Sequence, residues 1–389
     1  MFSKKQLPLC IKFIFIIFHA DFQIMTDLLY KIALTKIAGV GAITARQLVS
    51  HCGGAKEVFE TSRKDLLKIP AIGPVLVDAL KASSSAFEEA EKELEFIEKH
   101  DIKALFYTDA AFPQRLKFQH DCPFLLYFKG NANLNHHRIV GIVGTRKPTP
   151  YGEAMCKEII EGLKPYNIMV VSGLAYGIDV TAHKKSVDLG IENVGAVGHG
   201  LSLIYPNEHR KVAAKMIECG GILSEYTSET QPDPRHFPMR NRLIAGMCDA
   251  LLVVETAESG GSMISAELAF SYNKDVFAVP GKAKEKYSQG CNLLIKTNKA
   301  ALVESAQDIA NAMNWELLDA KKSIQTNLFV TLEPEEQRLV DILQKDGTLG
   351  IDELSFKMNL PPSEMAVLLL NLEFKAVIKS LPGKRYCTL

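Results

Sequence analysis

Residues 141–152 read GIVGTRKPTPYG and residues 258–281 read ESGGSMISAELAFSYNKDVFAVPG, with SGLAYGID (172–179) and FPMRNRLIAG (237–246) between them. Short apolar runs punctuate the stretch: Ile139–Val143, Met169–Val171, Val194–Val197, Ile222–Leu223, Leu251–Val254 and Val276–Val279. They alternate with segments long enough to be helices. β-rich runs alternating with helical segments predict βαβ units and therefore a parallel sheet. In open sheets of this kind ligands bind beyond the carboxyl ends of the strands. That edge is where the chain places its Gly, Ser, Arg and Asn residues.

The turns at that edge have the composition of an anion cradle. Gly144-Thr145-Arg146 follows the first buried run and precedes a helix expected from Tyr151. Backbone amides at such a strand–turn–helix junction can face an anion, and Arg146 can fork two phosphate oxygens. Ser172-Gly173 ends the second run, Gly198 and Gly200 follow the third, and Gly260 with Ser262 opens another helix. From Arg235 to Arg242, RHFPMRNR carries Arg235, His236, Arg240 and Arg242 with no acid, and Phe237 and Asn241 are interleaved. Cations for phosphates beside an aromatic for base stacking is the composition of a single-strand binder. The alternative is a helix start whose arginines pair with Glu225 or Glu255, and Arg242 reads as structural in that way. Asp179 and His183 stand four apart with no nucleophile near them, so capping and hydrogen bonding is their expected work. His199 and His209 have the same plain reading, and the His136-His137 pair in the polar loop NANLNHHR reads as facing solvent rather than a metal. There is no G-x-x-x-x-G-K-[ST] and no G-x-G-x-x-G at the first strand, so no nucleotide cofactor is expected.

Lys plus Arg and Asp plus Glu number 45 each, for a formal net charge of zero. Any nucleic-acid site must therefore be a local cluster of cations. The eight cysteines form no CxxC or other close pair. Neither a metal site nor a disulfide framework is expected, and a reduced, cytoplasmic setting is. Near the start, LPLCIKFIFIIFHA is interrupted by Lys12, which leaves Phe13–Phe18 too short to span a bilayer. No A-x-A-like cleavage site follows. Met25 is the expected natural start, with residues 1–24 an upstream extension.

Residues 25–100 read as a helical domain. LTKIAGVGAITARQL (34–48) and LLKIPAIGPVLVDAL (66–80) repeat one shape: a helix end, a glycine turn and a second helix. The second copy has Ala71 where the first has Gly39. The pair resembles two helix-hairpin-helix units, whose turns present amides to a phosphate in that family; plain packing of helical hairpins is the other reading. A polar linker is expected at 316–332. Residues 333–389 then give three helices and a hairpin with a Pro-Gly turn, a winged-helix pattern. Its third helix carries Glu364, Glu373 and only Lys375, which suits protein docking at least as well as a phosphate surface. Lys379, Lys384 and Arg385 leave the wing as the part able to touch DNA.

One family joins these pieces. FPQRL (112–116) and CPFLLYFKGN (122–131) lead into GIVGTR, SGLAYGID, AVGHGLSLIYPNEH (196–209), FPMRNRLIAG, VVET (253–256), SGGSMISAELA (259–269), VFAVPG and GCNLLI (290–295). Their order and spacing over roughly residues 105–310 resemble the DNA-processing protein A (DprA/Smf) family. The resemblance implies an α/β fold with a Rossmann-like core (105–315), flanked by the helical domain and the winged helix. It also implies a non-enzymatic protein of natural transformation that binds incoming single-stranded DNA, acts as a homodimer and loads the RecA recombinase. DNA contact is carried by resemblance onto Arg146, Phe237, Arg240 and Asn241, beside the cradle residues Gly144, Thr145, Ser172, Gly173, Gly260 and Ser262. The alternative is a LOG-type nucleotide hydrolase with Glu267 as its carboxylate. Against it, SGGSMISAE lacks the leading Pro and the GT of that family's motif.

Overall fold

The computed structural model describes residues 25–317, 332–375, 377–381 and 385–388. The expected extension 1–24, nearly all of the linker, Lys384 and the Pro-Gly turn lie outside the described residues. The chain divides into two compact units, 1–318 and 319–389.

The first unit opens with helices α1 (25–36), α2 (Ala42–Cys52), α3 (Ala55–Glu60), α4 (Arg63–Leu66), α5 (Pro74–Lys81) and α6 (Ser84–Lys99). The two repeated turns share one backbone. Gly39 has φ 84° and Ala71 has φ 61°, both left-handed, and Gly41 and Gly73 each cap the next helix from extended conformations. An alanine thus holds a conformation that usually calls for glycine. The helices share an apolar core (Ile32, Leu48, Leu66, Leu80) with Phe106 and Tyr127 of the strands that follow and with Phe124 just before the second of them. The helical segment is therefore built onto the edge of the sheet.

The strands and helices then alternate as the apolar runs predict. They are β1 (Lys103–Phe106), α7 (Gln114–Lys117), β2 (Leu125–Gly130), β3 (Ile139–Val143), α8 (Pro150–Leu163), β4 (Met169–Ser172), α9 (Ile178–Leu189) and β5 (Asn193–Val197). There follow α10 (Arg210–Glu218), β6 (Gly220–Ser224), α11 (His236–Met247), β7 (Ala250–Val253), α12 (Gly261–Ser271), β8 (Asp275–Ala278), α13 (Gln289–Lys296), β9 (Ala301–Leu302) and α14 (Ala306–Ala312). The sheet order is β1-β2-β6-β5-β4-β3-β7-β8-β9. From β6 through to β9 all neighbours are parallel, while β1 and β2 add an antiparallel edge.

Both faces of the sheet are covered, which is why β3, β4 and β5 are buried along their whole length. Val140, Ile142, Val170 and Leu252 pack under α8, α9 and α14. Val143, Val171, Leu251 and Val253 pack under α11, α12 and α13. Each such side chain contributes about 1.5–3 kcal/mol on burial. The chain winds outward from β3 through β4, β5 and β6, then returns to β7 on the other side of β3. The carboxyl ends of β3 and β7 thus form the switch point, where connections diverge and leave a crevice.

The second unit comprises α15 (Pro334–Asp346), β10 (Leu349–Gly350), α16 (Ile351–Met358), α17 (Pro362–Phe374), β11 (Ile378–Leu381) and β12 (Arg385–Thr388), its strands in the order β10-β12-β11. Leu339, Leu343, Leu354, Met365, Leu369 and Leu372 make its core. This is the winged helix, with α17 as its third helix. Helix α17 exposes Val367, Leu370 and Phe374 to solvent, beside the polar Ser363, Glu364 and Asn371. Lys375, just past its end, is spent on Glu336 at 2.6 Å.

Candidate functional site

A cleft of about 510 Å³ opens at the switch point. One wall is the loop after β3. Gly144 is required there because a Cβ would stand 2.5 Å from the side chain of Ile178. Gly177, with φ 80°, lies so close to the backbone of Thr145 and Arg146 that no side chain fits. Two strand-end turns thus pack backbone to backbone, and the Arg146 side chain is left at the surface.

Glu255, just past β7, holds this loop at both ends. Its carbonyl accepts the Thr145 N–H at 2.6 Å, and its buried carboxylate accepts the Thr149 N–H at 2.9 Å and hydroxyl at 2.6 Å. Gly152 leaves the space that carboxylate occupies.

The opposite wall is α11 and the start of α12. Phe237 stacks on Tyr205 (centroids 5.9 Å apart, planes at 28°), and the Arg146 guanidinium lies 5.6 Å from the Phe237 centroid. Arg146 has no hydrogen-bond or ion-pair partner among the described residues, so its charge is available to a ligand. At α12, Gly260 caps the helix with no side-chain bond, and the Gly261 and Ser262 amides have no partner among the described residues, whereas the Met263 N–H donates to the Gly260 carbonyl at 3.0 Å. Ser262 lines the cleft and is 7% exposed, and its hydroxyl is buried with no partner among the described residues.

Arg240 takes a different position from Arg146. It is 4% exposed and donates through Nη1 to the carbonyls of Gly173 and Ala196. The buried carboxylate of Asp179, raised by desolvation, is held down again by Arg240 and by bonds to the backbone of Ala175 and Gly173. A Cβ on Gly173 would meet both the Arg240 guanidinium and the Asp179 carboxylate. Arg240 is thus the cleft's floor, tying the end of β4, strand β5 and the first turn of α9 together. Asn241 continues the lock, accepting from Arg240 Nε at 3.3 Å and donating to the Gly261 carbonyl at 3.4 Å. Arg242 pairs with Glu225 and donates to the Asp121 carbonyl at 2.6 Å. Arg235 is paired with Asp233 at 2.8 Å.

Of the residues expected at the site, Gly144, Thr145, Arg146, Phe237, Arg240, Asn241, Gly260 and Ser262 line the cleft. Ser172 and Gly173 do not. Ser172 is fully buried, with its hydroxyl turned back onto the Ile142 carbonyl at 2.6 Å, and the Gly173 carbonyl is covered by Arg240. A serine at a strand end satisfies the neighbouring strand as readily as a ligand, and here it does the former. Tyr205 and Tyr287 also line the cleft. Tyr205 stood inside a quoted motif, but nothing in its spacing marked it as the stacking partner of Phe237.

Three buried histidines hold structural hydrogen bonds, although His183 Nε2 is buried without a partner among the described residues. His183 Nδ1 donates to Asn193 Oδ1 at 3.0 Å, and burial pushes its pKa down to about 4. His199 donates to the Gly200 carbonyl and accepts the Tyr205 N–H, and His209 donates to the Leu174 carbonyl. Glu267 lies on the exposed side of α12, ion-paired with Lys299 at 2.6 Å, and does not line the cleft. Among the described residues no group of His, Cys, Asp or Glu could hold a metal ion, and no helix is long and apolar enough to cross a membrane.

The family described as DNA recombination-mediator protein A matches residues 103–314, and the DprA winged helix domain matches residues 330–384. The DNA processing protein DprA of Bacillus subtilis is 34% identical over 62% of this chain and 84% of its own. The X-ray structure of DNA processing protein A from Streptococcus pneumoniae superposes with a TM-score of 0.64 at 30% identity, covering 74% of this chain and 98% of that one. A structure of DNA processing protein A from Helicobacter pylori, described for its single-stranded DNA binding mode, gives a TM-score of 0.51 at 29% identity, covering 55% and 97%. The first block falls on the sheet, the second on the winged helix, and together they agree with the motif resemblance. This chain belongs to the DNA recombination-mediator protein A family.

Proposed function

We propose that the chain binds single-stranded DNA along the cleft at the carboxyl edge of its sheet, shields it, and passes it to the RecA recombinase during natural transformation. The observation that carries this reading is the unpaired Arg146 guanidinium resting on Phe237, itself stacked on Tyr205. A cation for the phosphate and a stack of rings for a base then stand side by side. The open amides of α12 and the unpartnered Ser262 hydroxyl give a second phosphate a place on the other wall. The relative whose structure is described for single-stranded DNA binding, and the family's description as a recombination mediator, support the same reading. Arg240, Ser172 and Gly173 act beneath the site by fixing its shape.

Action as a cytoplasmic homodimer and without catalytic turnover belongs to the same proposal, by resemblance to the family. A LOG-type hydrolase would need Glu267 facing the ligand, and its position outside the cleft favours the binding protein. The test is a salt series with a fluorescent single-stranded oligonucleotide against duplex of equal length. Preference for the single strand, lost in Arg146→Ala and in Phe237→Ala, is expected. Binding that survives both substitutions refutes the proposal.

A further inference from the structure

The cations lining the cleft are Arg146 and Arg240, and Arg240 is committed to carbonyls. One free guanidinium can hold about one phosphate, whereas a strand offers one charge per nucleotide. More free cations lie on the loop that follows β8. Lys282, Lys284 and Lys286 are all exposed, and none has an ion pair or a hydrogen-bonded acid among the described residues. This loop borders a second cavity of about 620 Å³, lined by Lys282, Tyr151, Ser288, Glu255 and Glu285 among others.

Tyr287 belongs to both spaces, lining the cleft and the second cavity. It is fixed to the cleft wall, since its carbonyl accepts the Thr256 N–H at 2.7 Å. Lys286 Nζ stands 5.7 Å from the Tyr287 centroid, which repeats the Arg146–Phe237 arrangement at 5.6 Å. Two cation–ring pairs thus stand along one continuous surface, the combination that suits a stacked single strand. Of the two carboxylates in the second cavity, that of Glu255 is buried and taken up by Thr149. The charge left at the surface is that of Glu285 against the three lysines.

We infer that a single strand leaves the cleft across Tyr287 and continues over loop 280–288, where Lys282, Lys284 and Lys286 take successive phosphates of its backbone. This rests on the single-strand reading of the cleft and adds to it a second phosphodiester-binding site.

The experiment uses the full chain and oligothymidylates of about 5 and about 20 nucleotides, below and above the span of one compact binding surface. The variants are K282Q/K284Q/K286Q, Arg146→Ala, and a charge-matched control with Lys184, Lys211 and Lys215 changed to Gln on α9 and α10, which line neither cavity. With roughly 0.7 of salt slope per single-strand phosphate, the loop variant is expected to lower the slope for the long oligonucleotide by roughly 2 and its affinity about ten-fold. The short oligonucleotide should bind it unchanged, and the control should bind both as the parent does. An unchanged long-strand slope, equal loss for both lengths, or equal loss in the control overturns the inference. If Arg146→Ala weakens neither oligonucleotide, the cleft reading itself fails. If it weakens both while the loop variant changes nothing, only the extension fails.

Discussion

Arg146 and Arg240 stand at the same sheet edge and were both expected to contact DNA, yet the structure assigns them opposite consequences. Arg240→Ala would orphan the carbonyls of Gly173 and Ala196 and strip the buried Asp179 of its counter-charge. Each orphaned buried acceptor costs about 1–3 kcal/mol, and removing one member of a buried charge pair costs about 3–5 kcal/mol. The losses overlap, so about 4 kcal/mol overall is expected. At about 2–4 °C per kcal/mol, that is a fall of roughly 10 °C in Tm. Arg146→Ala removes an exposed group without polar partners, so the change in stability should stay within about 0.5 kcal/mol. Its effect should be on binding, a salt slope reduced by roughly 0.7 for the lost phosphate. Urea denaturation and strand-binding anisotropy on both variants make the comparison. An Arg240→Ala protein with parental stability and selectively lost binding would refute the assignment of Arg240 to the floor.

Other substitutions probe the rest of the scaffold. Ala71→Gly relieves a left-handed alanine at the second helical turn and should raise stability by about 0.5–1 kcal/mol, read by urea melting; a loss would mean the turn is not strained. His183 falls from 6.5 to about 4 in the fold. At 1.36 kcal/mol per pH unit, protonation of the unfolded ring makes the fold about 3 kcal/mol less stable below pH about 4 than above pH about 6.5, the loss accruing between the two. Asp179, raised by burial, acts in the opposite sense and offsets part of this as it takes up its proton. His183→Gln should therefore flatten the stability–pH curve between those limits, and an unchanged curve would place the titration elsewhere. Glu267→Gln breaks only a surface pair with Lys299, worth about 0–1 kcal/mol, and should leave strand binding unaltered.

The sheet was legible because its strands are short apolar runs buried on both faces, and each run coincides with one of β3 to β8 within a residue or two. The cradle turns were legible because glycine at a strand end implies close approach, which Gly144 and Gly177 realise. What the sequence does not encode locally is which side chain faces the ligand. Arg240 and Arg242 sit two apart on one helix beside Phe237, in a composition that reads as a binding surface. The pairing of Arg242 with Glu225 is among the readings of the sequence, but only the fold reveals the Gly173 and Ala196 carbonyls converging on the Arg240 guanidinium. The attachment of the helical segment to the β1–β2 edge was hidden for the same reason, since Phe106 and Tyr127 carry no mark of what covers them.

A formal charge of zero is compatible with a nucleic-acid binder because the cations of this chain divide into two populations. One is neutralised inside the architecture: Arg115 on Asp249, Arg242 on Glu225, Lys375 on Glu336, and Arg240 on carbonyls. The other includes Arg146, Lys282, Lys284 and Lys286, which have no anionic partner among the described residues and lie around one edge of the sheet. A phosphate backbone responds only to the second population, because a paired cation must first give up its partner. The same reasoning separates the core from the winged helix, where α17 turns Val367, Leu370 and Phe374 outward and its neighbouring Lys375 is already paired. Placing that face in a DNA groove would set apolar side chains against phosphates with no free cation on the helix to compensate. On the proposed reading the unpaired cations around the cleft draw the strand to the sheet edge, while the exposed apolar side chains of α17 suit a partner surface.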